Sequence, residues 1–396
     1  MLATREVMFE FDFLKNNFYK NKKVLITGHT GFKGTWLCRI LINAGAMVTG
    51  YSLQPPTQPN LFSLADVESQ MHSVMGDIRD FQHLQNVFTE VQPEIVFHLA
   101  AQPIVRESYK EPRYTYETNI MGTVNLLECV RQCGSVKSVL NVTTDKVYLN
   151  RERIEGYREE EPLDGFDPYS NSKSCSELVT HCYKNSFFAA NANLKIQTAN
   201  EGDNNKRQVA ISTARAGNVI GGGDFAQDRI IPDCVRAIQE GKIIEVRNPH
   251  SVRPYQHVLE PLAVYLMIAA RQYEDICYSD YYNVGPDDCD CISTGELADL
   301  FCKYWNLDHD QNNQVEDNEL YNATWESKAE QNAPHEANFL KLDCSLLKKT
   351  FGWQPRWHIE EAIQKTCEFS KVWLQGGNIP AEMDGEIEAF FCKVVE

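Results

Sequence analysis

From Lys22 onward, short runs that are apolar at almost every position alternate with longer stretches whose apolar residues recur every three to four positions. The runs are VLITG (24–28), AMVTGYS (46–52), EIVFHLA (94–100) and SVLNVTT (138–144). A strand that is apolar on both of its faces must be covered on both, as happens when crossover helices wrap a parallel sheet. The pattern therefore predicts alternating strands and helices, with the first helix opening at Thr35. It predicts one further strand over VAISTARAGNVI (209–220), then loops rich in Gly, Pro and Arg from Gly221 to Pro254. Residues 191–206 and 308–332 are polar and poor in apolar positions, and read as surface loops. Near the end, FGWQP precedes a helix from His358 that is expected to pack on the substrate side. No internal repeat is present.

Composition narrows the picture. A chain of 396 residues, 43% hydrophobic, can bury a core large enough for one big or two coupled domains. No stretch approaches the roughly 20 apolar residues that span a bilayer, and MLATREVMFEFDFLKNN is too acidic and interrupted for a signal peptide. A cytoplasmic protein with no membrane partner is the expectation. A net charge of −17 argues against nucleic acid as a partner, and any anionic ligand must meet locally placed arginines. The thirteen cysteines form no C-x-x-C pair. Cys289 and Cys291 lie close together but have no His near them in sequence, so no metal is expected.

The chemistry sits at strand ends. Thr27-Gly28-His29-Thr30-Gly31-Phe32-Lys33-Gly34 follows the first strand and opens a helix, which turns backbone N–H groups toward a pyrophosphate. A carboxylate is usual at the end of the second strand, to bind the adenosine ribose. That place reads Gly50-Tyr51-Ser52-Leu53, so the choice between NAD and NADP is left open there. Gly76-Asp77-Ile78 and His98-Leu99-Ala100-Ala101-Gln102 end the next two strands, where they would line a dinucleotide crevice. Tyr169 and Lys173 are one helical turn apart and project to one face. An ammonium beside the phenol is expected to lower its pKa and fit it to take a proton from a sugar hydroxyl. Thr143-Thr144-Asp145-Lys146 adds a candidate acid and a candidate base to what redox alone requires.

Taken together, Thr27–Gly34, Asp77, Leu99–Gln102, Thr143–Tyr148 and the Tyr169/Lys173 pair resemble the extended short-chain dehydrogenase/reductase family, in its nucleotide-sugar branch. The resemblance runs from about Lys22 to Ser370 and includes GHTGFKG, HLAAQPIVRESY, TTDKVY, GYRE, DPYSNSK, ARAGNVIGGGDFAQDRIIPD and RPYQHVLEP. It implies an α/β fold, a Rossmann-like doubly wound parallel sheet with a smaller C-terminal substrate-binding domain. The expected division is 1–218 for the dinucleotide and the catalytic residues, and 219–396 mainly for the nucleotide sugar, with about 254–285 returning to the core. A homodimer or dimer of dimers is the family habit.

The resemblance also implies tightly held NAD and a 4,6-dehydration. Thr144, Asp145, Lys146, Tyr169 and Lys173 would be catalytic. The cofactor would lie on Gly28, Thr30, Gly31, Phe32, Lys33, Gly34, Ser52, Asp77, Ile78, Leu99, Ala100, Ala101, Gln102, Thr143, Tyr169 and Lys173. Arg106, Asn218, Arg229, Arg253, His257 and Asn283 would hold the substrate. Related dTDP-glucose enzymes carry Asp-Glu where this chain has Asp145-Lys146, and the lysine matches the CDP-glucose branch. Val147, Leu149 and Tyr255 depart from the family pattern, and 191–206 looks inserted. A 4-epimerase needs the Thr and Tyr/Lys set without the acid–base pair. A noncatalytic cofactor-binding regulator would usually have lost the tyrosine or lysine.

Overall fold

The computed structural model describes Phe11, Leu14 and residues 16–188, 208–307, 322–328 and 339–392. The polar segment 191–206 lies outside them, as does most of 308–332. A seven-stranded parallel sheet forms the centre. Its strands are β1 (Lys23–Thr27), β2 (Met47–Ser52), β3 (His72–Met75), β4 (Ile95–His98), β5 (Ser138–Thr144), β6 (Ala210–Ala216) and, later in the chain, β11 (Tyr281–Val284), in the spatial order β11-β6-β5-β4-β1-β2-β3. The order reverses between β1 and β4, and that is where a crevice opens beyond the strand ends.

Alternate side chains of each strand feed two separate cores. Val24 and Ile26 join Phe97, Leu140 and Val142 on one face, while Leu25 joins Val96, Val139 and Ile211 on the other. The first face is covered by α1 (Phe32–Asn43) and by α6 (Leu259–Glu274), whose residues 259–270 are all buried, so this helix is apolar almost all round. The second face takes α2 (Phe81–Val91) and α3 (Gly122–Gln132). The helix α4 (Pro168–Phe187) packs on α3 and β5.

Further elements are α5 (Ile230–Gln239), α7 (Thr294–Asn306), α8 (Ile359–Leu374) and α9 (Ile379–Cys392), with the short strands β7 (Val219–Ile220), β8 (Ile244–Val246), β9 (Val252–Pro254), β10 (Gln256–His257), β12 (Cys291–Ser293) and β13 (Trp325–Ser327), besides several helices of seven residues or fewer. A third core holds this part together, with Ile231, Cys234, Val235 and Ile238 of α5 against Leu297, Phe301 and Trp305 of α7 and Ile359 and Ile363 of α8. Among the described residues no helix is long and apolar enough to cross a membrane.

Three expectations need correction. The strand expected over 209–220 stops at Ala216 and resumes as β7, because Gly217-Asn218 interrupts it. The loops expected from Gly221 to Pro254 contain α5, whose buried positions 231, 234, 235 and 238 follow a helical period. Within the polar stretch 308–332, Trp325–Ser327 forms a strand paired with β8.

Candidate active site

The glycine loop shapes one wall. Gly28 has a φ of +79°, and a Cβ there would lie 2.7 Å from the backbone nitrogen of Ala100. A Cβ on Gly34 would overlap the Gly28 carbonyl. Only glycine lets β1, β4 and α1 close on one another this tightly. The N-terminus of α1 at Gly31 has no side-chain cap, which leaves its N–H groups for an anionic guest.

Beyond this loop lies an open cleft of about 1470 Å³. Its lining takes in Gly28, Thr30–Gly34, Ser52, Asp77, Ile78, Leu99–Gln102, Thr143–Lys146, Tyr169 and Lys173 from the sheet half. Arg106 joins them, facing Asn218, Arg229, Arg253 and the end of α8 (Phe369, Ser370, Trp373). Glycine cradle, uncapped helix and crevice fit a dinucleotide pyrophosphate. At the end of β2, Ser52 bonds Thr30 at 2.9 Å and Thr30 donates to the Leu53 carbonyl at 2.9 Å. Asp77 is gripped by Arg79 at 2.6 Å, and this bond is the first cause of its lowered pKa. Gln102 turns inward, its amide donating to Thr115 at 2.9 Å, so it braces the loop after β4.

The catalytic candidates converge at the end of β5. Asp167 caps α4 by accepting from the Ser170 backbone N–H at 2.9 Å, and Pro168 occupies the first turn. The cap fixes Tyr169 over the strand end. The Thr144 hydroxyl donates to Asp145 at 2.9 Å and also hydrogen-bonds Tyr169. Asp145 is 1% exposed, and its Oδ2 has no hydrogen-bond partner among the described residues. Burial raises its pKa, against the pull of Lys146, Thr144, Arg253 and Lys33. Burial thus biases this carboxyl toward its protonated form although Lys146, Arg253 and Lys33 lie near it. Gly217 packs beside it, and a Cβ there would be in ordinary contact with Oδ2 at 3.4 Å.

The electrostatics of the Tyr169/Lys173 pair differ from the expectation. Desolvation pushes Tyr169 up to about 12, Thr144 and Arg229 pull it down, and Asp145 and Asp167 raise it further. Lys173 is not among the largest influences on it. The Lys173 ammonium instead donates to the Val142 carbonyl at 3.0 Å, and burial brings it down to about 8. Lys33 lies in the same electrostatic neighbourhood. Desolvation first, then the charges of Arg229 and Lys173, brings it to about 8 as well.

Two expected substrate residues are not in the cleft. His257 is fully buried beside Trp357 and 3.4 Å from the Glu386 carboxylate. Asn283, also fully buried, accepts from the Tyr148 hydroxyl at 2.6 Å and donates to the Tyr157 carbonyl at 2.7 Å. Both are structural. Thr143 lines the cleft, but its hydroxyl donates to Glu177. Glu177 also accepts from Thr213 at 2.8 Å and from Arg215 at 3.0 Å. This buried carboxylate went unnoticed in the sequence, although it stands one turn beyond Lys173 on the same helix face. Asp224, which holds Arg229 at 2.8 Å, and Arg247, which reaches Asp228 at 2.6 Å, were also missed. Asp224 lies inside the GGGDFAQDR stretch and could have been read from it.

A family model described as GDP-mannose 4,6-dehydratase matches residues 25–366. The chain belongs to this family. It is 46% identical to the CDP-glucose 4,6-dehydratase of Salmonella typhimurium over 364 residues, 92% of this chain and 94% of the relative. Among solved structures, the dTDP-glucose 4,6-dehydratase of Bacillus anthracis in complex with NAD superposes with a TM-score of 0.67 at 19% identity, covering 88% of this chain and 96% of that one. A UDP-glucose 4-epimerase of Stenotrophomonas maltophila with bound NAD gives 0.70 at 19% identity, covering 90% of this chain and all of that one. At that identity the two structures speak for the fold alone.

Proposed function

We propose that the protein is an NAD-dependent lyase that converts CDP-glucose to CDP-4-keto-6-deoxyglucose. One observation carries the reading: Asp145, buried with a raised pKa and an unpartnered Oδ2, sits on the Thr144 hydroxyl beside Tyr169. An epimerase needs the hydroxyl and the phenol. Only elimination needs an acid positioned for a leaving hydroxyl. The family match and the relative in Salmonella support the same activity and the CDP-linked substrate.

NAD, when bound, supplies a cationic nicotinamide that takes up a hydride and later gives it back. Tyr169 removes the proton of the glucose 4-hydroxyl as the hydride leaves C4, and Thr144 holds that oxygen by a hydrogen bond. With burial pushing Tyr169 up to about 12, phenolate formation depends on positive charge beside it. Arg229 already pulls in that direction. The new 4-keto group acidifies the C5 proton. Asp145 would give its proton to the departing 6-hydroxyl, so water leaves, while Lys146 would take the C5 proton or would steady the enolate as that proton passes to a water molecule. The product would then form as C6 receives the hydride and C5 a proton. Arg229 and Arg253 would bind the diphosphate through planar guanidinium forks, and Arg106 stands beside them on the cleft wall.

We place the enzyme in the cytoplasm as a homodimer or dimer of dimers, following family habit. Incubating it with CDP-, dTDP-, GDP- and UDP-hexoses and following product mass tests the activity. Loss of one water, fastest with CDP-glucose, is expected. A product of unchanged mass would instead favour epimerisation.

A further inference from the structure

The loop that carries Cys289 reads Asp287-Asp288-Cys289-Asp290-Cys291, and sequence alone places no histidine near it. The fold does. His358, at the N-cap of α8, brings its Nδ1 within 3.8 Å of the Cys289 sulfur and 2.9 Å of Asp290 Oδ2. The three donor atoms all lie within 4.8 Å of one another. We infer that Cys289, Asp290 and His358 form a binding site for a thiophilic divalent cation of the zinc class, outside the catalytic cleft.

Three different donor types converge here from two segments 68 residues apart. Zinc binds sulfur at about 2.3 Å and imidazole nitrogen or carboxylate oxygen at about 2.0 Å. A tetrahedral arrangement of such bonds sets donor–donor edges of roughly 3.3–3.6 Å. The separations in the protein bracket these values, so small side-chain rotations close the site. Asp290 is already oriented: it is 2% exposed, and its Oδ1 accepts from the Ile359 backbone N–H at 2.9 Å. A ligand held this way by a second bond is pre-set for its metal. Cys289 and His358 are exposed, which leaves an entry path and a fourth position for water. Asp287 and Asp288 add negative charge nearby, each shared with a lysine, Lys348 and Lys341. Binding would exchange the thiol proton, and any proton on the imidazole, for the metal.

The site ties two elements that reach the cleft. Ile292 of β12 lies opposite Arg253 of β9, and α8 carries Phe369, Ser370 and Trp373. An ion at its N-cap would fix that helix against the strand pair behind the substrate arginine.

Cobalt tests the site, because thiolate coordination gives a near-ultraviolet charge-transfer band and tetrahedral geometry gives visible bands. Full-length protein, chelator-stripped and kept reduced, is titrated with Co²⁺ alone. The expected result is both band sets saturating at one equivalent and bleaching when Zn²⁺, the stronger binder, is added. Cys289→Ser should abolish the charge-transfer band, and His358→Ala should weaken cobalt binding by at least about tenfold. Circular dichroism of each variant confirms that these exposed substitutions leave the fold intact. Absence of bands, a full band in Cys289→Ser from another of the exposed cysteines, or unchanged affinity in His358→Ala would each overturn the site. In those cases the cluster is a His358–Asp290 ion pair with a bystander thiol.

Discussion

Two carboxyls show how position alone sets the role of a residue. Asp145 and Glu260 are both 1% exposed, and burial raises the pKa of each, Glu260 to about 8. Asp145 faces the cleft. Asp145→Asn should leave the fold and hydride uptake from C4 intact but slow loss of water by about 10²–10⁴-fold. A reduced cofactor that persists in single-turnover absorbance, with no dehydrated product, would be the signature. Glu260 faces backbone, accepting from the N–H groups of Arg356 and Trp357 at 2.8 and 2.7 Å. Its folded-state pKa lies above the unfolded value, so folding favours the protonated form. The stability this confers is complete below about pH 4.5 and erodes as pH rises through about 8, by up to about 1.4 kcal/mol per pH unit. Glu260→Gln should flatten this slope in denaturation curves taken from about pH 5 to 9. A stability difference from wild type that is constant with pH would exclude the assignment. Sequence could not separate such residues. His257 and Asn283 sit in motif-like surroundings, and only burial against Trp357 and Tyr157 reveals that they support the fold.

Among the elements, those whose side chains obey one period were legible and those shaped by tertiary contacts were not. The strands β1, β2, β4 and β5 and the turn into α1 follow from unbroken apolar runs and from the spacing of Gly28, Gly31 and Gly34. The break after β6 did not, because its reason lies far away. Gly217 packs against Pro254, where a Cβ would meet the ring at 3.0 Å, and beside Asp145. The strand β13 is three residues long within a polar stretch and gains its order from pairing with β8. Gly34→Ala tests the best-read element. A methyl group there overlaps the Gly28 carbonyl, so the loop must open. NAD affinity should fall by at least about tenfold and stability by about 1–3 kcal/mol, read by cofactor titration and by melting. A variant that binds NAD normally would show that the close approach of α1 and β1 is dispensable.

Across the whole molecule, a net charge of −17 coexists with a cleft that gathers Lys33, Arg106, Arg229, Arg247 and Arg253. Composition pointed to the need for such a concentration of cations, and motif pointed to three of the four arginines. Their assembly along one cleft is a property of the fold, since they come from α1, the short helix Val105–Lys110 after β4, and the segments around α5 and β9. In the proposed reaction the hydride taken from C4 returns to C6 of the same sugar. CDP-glucose carrying deuterium at C4, incubated with enzyme and NAD, tests it most directly. The expected product is lighter by one water and retains the deuterium, now on C6. Deuterium lost to solvent, or still on C4 of a sugar that has kept its 6-hydroxyl, would contradict it.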